Sequence, residues 1–193
     1  NLLNDPLRIL RCFRFVSELN FKIDLKLINF IKKNKGKLHF VAKERINCEI
    51  QKIVTGANAF EAVILVKQFN IFGSDNLYEN SFFLNLEKIN YGILNNDEKE
   101  QFLPFFFIAQ IFDEVYLEKL KFSKACITKI KLLRKWYFLL EKKNIDQFNE
   151  LDRFELHREL EMFLPLFILY LPQNFHCEWL NRWRDKDDKL FHP

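Results

Sequence analysis

Apolar residues return every three or four positions along nearly the whole 193-residue chain, and that rhythm decides its class. Leu7, Leu10, Phe13, Val16 and Leu19 form one such stripe. Only 4 Gly and 5 Pro leave little material for the tight turns that join strands, and no alternating strand pattern interrupts the helical one. The reading is all-α: a multi-helix bundle without a sheet.

Start and stop signals divide the rhythm into helices. Asp5 followed by Pro6 is a helix start, with an acid at the cap and Pro in the first turn. That helix should end near Asn20. Asp24 should cap a second helix that stops around Gly36. A third runs from about Lys43 to Val54, with Gly56 placed to accept the left-handed turn after it. A fourth closes at Gly73. Longer helices are expected over 77–90, 97–120 with a kink or break near Pro104, 123–143, 149–171 with Pro165 inside, and 175–184. The polar link "FGSDN" at 72–76 is the best boundary, giving domains 1–73 and 74–193, with "NNDEKE" at 95–100 as the runner-up.

Several function classes fall away. The longest apolar stretches, "FLPFFFIAQIF" and "MFLPLFILYLP", are far shorter than the ~20 residues of a membrane span, so no membrane role is expected. The opening residues do not read as a signal peptide. Cys12, Cys48, Cys126 and Cys177 lie far apart, which fits free thiols in a reducing cytoplasm. The four histidines show no ligand spacing, and no metal site is expected. The 23 Phe accompany abundant Lys, Asn and Ile, a bias explained by AT-rich codons.

Charge is unevenly spread. Residues 1–53 carry 12 basic and 5 acidic residues, and a second basic zone at 119–143 sets nine basic residues against Glu141 alone. Two basic zones separated by an acidic one suit a polyanion touched at two places, and equally two solvated helix faces. In the second zone Lys124, Lys129, Lys131, Arg134 and Lys135 are the candidate RNA contacts, while Trp136 and Tyr137 read as core more readily than as stacking platforms.

The stretch "NDPLRILRCFRF" places Asp5, Arg8, Arg11 and Arg14 three residues apart, about 60° per step around a helix. A carboxylate only accepts hydrogen bonds and a guanidinium only donates them. Side by side, they complement the Watson–Crick edges of cytosine and adenine, which show an amino donor beside a ring-nitrogen acceptor. Guanine and uracil would meet acceptor with acceptor and donor with donor, at about 1–3 kcal/mol for each buried unpaired group. The remaining arginines suit phosphates. The same spacing also describes a surface i,i+3 ion pair worth a few tenths of a kcal/mol, about 0.3.

"NDPLRILRCFRFVSELNFKID" closely resembles the neck segment of class II tRNA nucleotidyltransferases, the CCA-adding enzymes and their bacterial poly(A) polymerase relatives, where the pattern is [ED]-D-x-x-R with further arginines. "VAKERINCEIQKIV" resembles the family's V-S-x-E-R-I helix, and "NAFEAVILVKQFNIF" the helix that follows. The end, "NRWRDKDDKLFHP", resembles the approach to the family's tail. The resemblance implies that Asp5 and Arg8 read the base of incoming CTP or ATP and that Arg11 and Arg14 hold the helix or nearby phosphates. Glu44, Arg45 and Glu49 would brace the reading helix. Asn4 stands where an acid is usual, and Ala42 replaces a capping Ser.

The family's catalytic carboxylates, which hold two Mg²⁺ ions, belong to a G-[ST] … D-x-D head that has no counterpart here; "RDKDD" follows no such strand and reads as a solvated loop. The expectation is therefore a neck and body segment that binds tRNA and nucleoside triphosphates within a larger enzyme and does not catalyse alone. Its rival is a non-catalytic helical module that binds RNA or protein through a generic phosphate patch. CCA, CC, A or poly(A) as the product depends on head segments, and the oligomeric state is left open.

Overall fold

The computed structural model describes residues 5–73 and 89–185. All regular elements among them are helical. In chain order they are α1 (Arg8–Leu19), α2 (Leu25–Asn34), α3 (Lys43–Thr55), α4 (Ala59–Gln68), α5 (Asn96–Ile111), α6 (Glu114–Lys119), α7 (Lys124–Lys142), α8 (Glu150–Leu160), α9 (Leu164–Ile168) and α10 (Gln173–Arg184). The helix expected over 77–90, Asn4, and the carboxylates of Asp187 and Asp188 fall outside the described residues.

By compactness the chain forms two units, Asn1–Glu79 with Phe107–Ile127, and Asn80–Phe106 with Thr128–Pro193. In the first, α1 packs against α3 and α4. Ile9, Leu10, Phe13 and Val16 turn inward from α1 and meet the apolar faces of α3 (Ile46, Ile50, Ile53) and α4 (Ala62, Val63, Val66), all nearly inaccessible. Each large buried side chain contributes about 1.5–3 kcal/mol. Phe72 closes the same core edge-on to Phe112, with ring centres 4.8 Å apart.

Local chemistry sets the ends. Asp24 accepts a 2.7 Å hydrogen bond from the Leu27 N–H and caps α2 as expected. Asn20 ends α1 with φ of 53°, a left-handed conformation that Asn tolerates. Beyond α2 the chain tightens into a 3₁₀ turn, Lys35–Phe40. The Lys35 ammonium reaches the carbonyls of Phe69 (3.0 Å) and Asn70 (2.8 Å), just past the C-terminal end of α4, where a cation is favoured.

Three expectations need correction. Gly56 is extended (φ −73°, ψ 158°), so a left-handed turn is not its purpose. A Cβ there would lie 2.2 Å from the Ser17 Oγ and 2.8 Å from Ser17 backbone atoms, so Gly is present because two segments touch. Pro104 does not break α5, which runs through it to Ile111. The break comes at Asp113, whose carboxylate caps α6 by accepting from the Tyr116 N–H at 2.6 Å. Pro165 is not interior either. It sits in the first turn of α9, where its missing N–H costs nothing, after Glu161 interrupts the chain with φ of 40°.

The second unit is aromatic at heart. Trp136 and Tyr137 are 1 % exposed, as the core reading expects, and the Tyr137 hydroxyl donates to the Leu166 carbonyl at 2.8 Å. Phe102 and Phe105 each meet Phe163 edge-on, with ring centres 5.9 and 5.1 Å apart. Glu98 accepts two 2.7 Å hydrogen bonds from Arg184, linking α5 to the end of α10.

Candidate nucleotide-reading site

α1 and α3 lie side by side in the same direction, because their pairings advance together. Asp5 meets Arg45, Arg11 and Arg14 meet Glu49, and the Ser17 hydroxyl donates to the Ile53 carbonyl at 2.6 Å. The last of these is buried, and the Ser17 carbonyl in turn accepts from the Asn58 N–H at 2.8 Å. Gly56 completes this close approach.

Asp5 sits just before the helix proper. Its Oδ1 accepts from the Leu7 N–H at 3.2 Å, and its Oδ2 lies 3.7 Å from Arg11 and 3.6 Å from Arg45. Glu49 is 5 % exposed and takes both its oxygens to Arg14 Nη1, at 3.3 and 3.1 Å, with Arg11 Nε 3.7 Å away. Arg14 also pairs with Glu18, one turn on, at 3.4 Å. The result is one ionic chain of three carboxylates and three guanidiniums. A buried carboxylate survives only with such partners.

Arg8 stands apart. Its side chain is exposed and makes no hydrogen bond or ion pair among the described residues. The i,i+3 ion pair with Asp5 that the spacing permits does not form. Asp5 is instead fixed by its other neighbours, which leaves one anchored acceptor and one uncommitted five-donor fork at the start of the same helix. Arg45 pairs with Asp5 across the start of the two helices. Glu44 is exposed and has no hydrogen bond or ion pair among the described residues. Glu18 escaped the motif reading, although its i,i+4 spacing from Arg14 was a legible sign.

The second basic zone resolves residue by residue. Lys124, Lys131 and Lys135 are exposed on α7. Lys135 is held by Glu159 at 2.8 and 2.7 Å, and the Trp136 indole donates to the same carboxylate at 2.9 Å. Burial raises the Glu159 pKa, but these hydrogen bonds outweigh it and leave it below the usual value. Lys129 places its ammonium 4.5 Å above the Phe163 ring. Arg134, expected to face RNA, is 5 % exposed and points inward with Leu133 and Tyr137.

Among the described residues no group of three or more His, Cys, Asp and Glu side chains is placed to hold a metal ion. The two-metal chemistry implied by the resemblance has no donor set among them, and no step is assigned to it. None of the described helices is long and apolar enough to cross a membrane.

Comparison with known proteins adds a family to this geometry. The family described as "Probable RNA and SrmB- binding site of polymerase A" matches residues 20–74. A tRNA nucleotidyltransferase from Schizosaccharomyces pombe is 41 % identical over 75 residues, 37 % of this chain and 16 % of the relative. A CCA-adding enzyme from Ligilactobacillus salivarius is 46 % identical over 54 residues, 28 % of this chain and 13 % of the relative. A CC-adding tRNA nucleotidyltransferase from Shouchella clausii is 34 % identical over 67 residues, 35 % of this chain and 18 % of the relative. The matches thus span less than a fifth of each relative's length. Over this matched segment, the chain is similar to tRNA nucleotidyltransferases and to the RNA-binding segment described for polymerase A.

Proposed function

We propose that the chain supplies the base-reading and RNA-contacting helices of a tRNA nucleotidyltransferase that adds C and/or A to tRNA 3′ ends. Asp5 and Arg8 read the incoming CTP or ATP, and residues 1–73 act as the neck and 74–193 as the body. The metal-holding carboxylates and Mg²⁺ belong to another part of the enzyme. The observation that carries this reading is the contrast among the arginines. Arg11, Arg14 and Arg45 are committed to carboxylates, whereas Arg8 keeps all its donors for a ligand beside an Asp5 that is already held in place. A helix built only for stability gains nothing from that division.

Glu49, Arg11, Arg14 and Arg45 serve the site by fixing α1 and its acceptor. Glu44, exposed one residue before Arg45, remains with them at the margin of the site. The exposed Lys124 and Lys131 are the α7 cations offered to tRNA phosphates, and Lys135 joins them only by leaving Glu159. CCA-adding and CC-adding relatives match to comparable extents, so the segment they share does not choose between these products.

The test is nucleotide selection in the complete protein. Asp5→Ala and Arg8→Ala should each lower C and A incorporation by about tenfold or more, or admit UTP and GTP, without lowering the melting temperature appreciably. Unchanged nucleotide preference in both variants refutes base reading. It would leave the rival reading, a phosphate patch in which Lys replaces any Arg at modest cost.

A further inference from the structure

A cleft of about 590 Å³ opens beside the C-terminal end of α1, between that helix, α2 and α4. This size lies within the range of ligand sites, about 300–1,000 Å³. Phe21, Phe60 and Phe69 line it with Ile28 and Leu65, so its interior is aromatic and apolar. Phe21 is 51 % exposed, an aromatic ring left at the mouth and not drawn into the core.

Polar groups converge on the same space. Asn58 gives an amide N–H to the Ser17 carbonyl at 3.3 Å and keeps its side-chain oxygen as an acceptor. Asn20, fixed by its left-handed backbone, has no side-chain hydrogen bond among the described residues. An amide both donates and accepts, and can match the edge of any base.

The charge around the cleft leans to basic by one lysine. Lys22 lines it, Glu61 is the lone acid among its lining residues, and the Lys32 ammonium stands 5.6 Å over the Phe69 ring. Aromatic walls beneath a basic rim suit unpaired nucleotides, whose bases stack while their phosphates meet cations. An apolar peptide would use the walls and gain nothing from the lysines.

We propose that this cleft is a second RNA subsite that takes an unpaired nucleotide of the bound RNA, with the base stacked on Phe21 and the flanking phosphates on Lys22 and Lys32. The proposal rests on the RNA-binding part of the function above and is separate from base reading by Asp5 and Arg8.

The experiment uses the full-length protein carrying this chain, with a single-stranded RNA of about ten nucleotides and the same sequence as a blunt duplex, followed by fluorescence anisotropy. Phe21→Ala should weaken single-strand binding by about tenfold and leave duplex binding within about twofold, whereas Phe21→Tyr should retain it. Lys22→Gln with Lys32→Gln should weaken both and flatten the salt dependence of single-strand binding by about 1.4 in log–log slope, roughly 0.7 for each phosphate no longer neutralised. Circular dichroism and melting confirm that Phe21→Ala is folded. Single-strand affinity unchanged in Phe21→Ala, or an equal loss for duplex, overturns the proposal. So does intact RNA binding with loss of a protein partner in pull-down, which assigns the cleft to protein. Nucleotide selection by Arg8→Ala, measured in parallel, separates the two readings: if it changes while Phe21→Ala has no effect, base reading stands and this inference falls.

Discussion

Arg14 of α1 and Glu49 of α3, 35 residues apart in sequence, meet through two hydrogen bonds of 3.3 and 3.1 Å from a single guanidinium nitrogen. The carboxylate is almost wholly buried, so its charge is tolerated only because Arg14 and Arg11 surround it. Glu49→Gln keeps the shape and removes the charge, leaving two guanidiniums facing a neutral amide. A destabilisation of about 2–3 kcal/mol is expected, between the values for exposed and fully buried pairs. Chemical denaturation measures it, and a double-mutant cycle with Arg14→Gln should return a coupling of about 1–2 kcal/mol. A coupling near zero would mean that the two side chains do not share the load assigned to them.

Gly56 offers a prediction whose sign depends on space alone. Its φ of −73° suits any residue, and Gly→Ala at such a position ordinarily stabilises by about 0.4–1 kcal/mol. Here the new methyl would lie 2.2 Å from the Ser17 Oγ and 2.8 Å from the Ser17 backbone. Gly56→Ala should therefore destabilise by about 2–3 kcal/mol. Adding Ser17→Ala removes the hydroxyl but not the carbonyl, so it should relieve the clash only in part and also remove the bond to Ile53. Full recovery in the double variant would show that the backbone approach is unimportant.

That close approach also shows what the sequence could and could not disclose. The apolar stripe of α1 from Leu7 to Val16, the Asp24 cap and the uncapped start of α3 at Ala42 follow from local rules, and the structure has each of them, whereas Leu19, read into the same stripe, is 69 % exposed. Gly56 was legible as a punctuation mark, but its reason is a neighbour 39 positions earlier, which spacing does not encode. Pro104 invited a break because Pro removes a donor, yet Asp113, with a carboxylate ready for the next helix, is where the chain stops and restarts. At the candidate site the residue types were readable and their pairing was not. Asp5 and Arg8 suggested an ion pair by spacing, whereas Asp5 turns to Arg11 and Arg45. Arg134 failed for a related reason: charge along a helix shows which residues are basic, and burial depends on what packs over them.

Glu98 and Arg184 give a prediction in pH. Hydrogen bonds from Arg184, opposed by burial and aided by the Asn95 N–H, hold the Glu98 carboxyl below its ordinary value of 4.5. A carboxylate whose pKa is lowered by folding stabilises the fold fully above the unfolded value and stops doing so as pH falls through the folded one. Arg184→Gln should cost about 2 kcal/mol at pH 7, tempered by the partial exposure of Arg184. The difference from the parent protein should shrink as pH falls below the ordinary carboxylate value and toward the lower folded one. Equal differences at pH 7 and pH 3 would contradict the pairing.

His157 titrates in a different window. Its ring stacks on Trp179 with centres 5.9 Å apart, in a cavity that Arg153 and Arg182 also line, together with Glu178. Burial lowers its pKa from 6.5 to about 4, so the folded protein holds it neutral. Between those values the unfolded chain takes up a proton that the folded chain refuses, and stability declines as pH falls. The decline is at most about 3 kcal/mol, less where the edge of the ring reaches solvent. His157→Phe preserves a ring against Trp179 and removes the proton site. Its stability between pH 6.5 and 4 should therefore fall less steeply than that of the parent protein, with the gap opening below pH 6.5 and levelling off near pH 4. Parallel stability curves across that interval would show that His157 is as free to protonate in the folded protein as in the unfolded one.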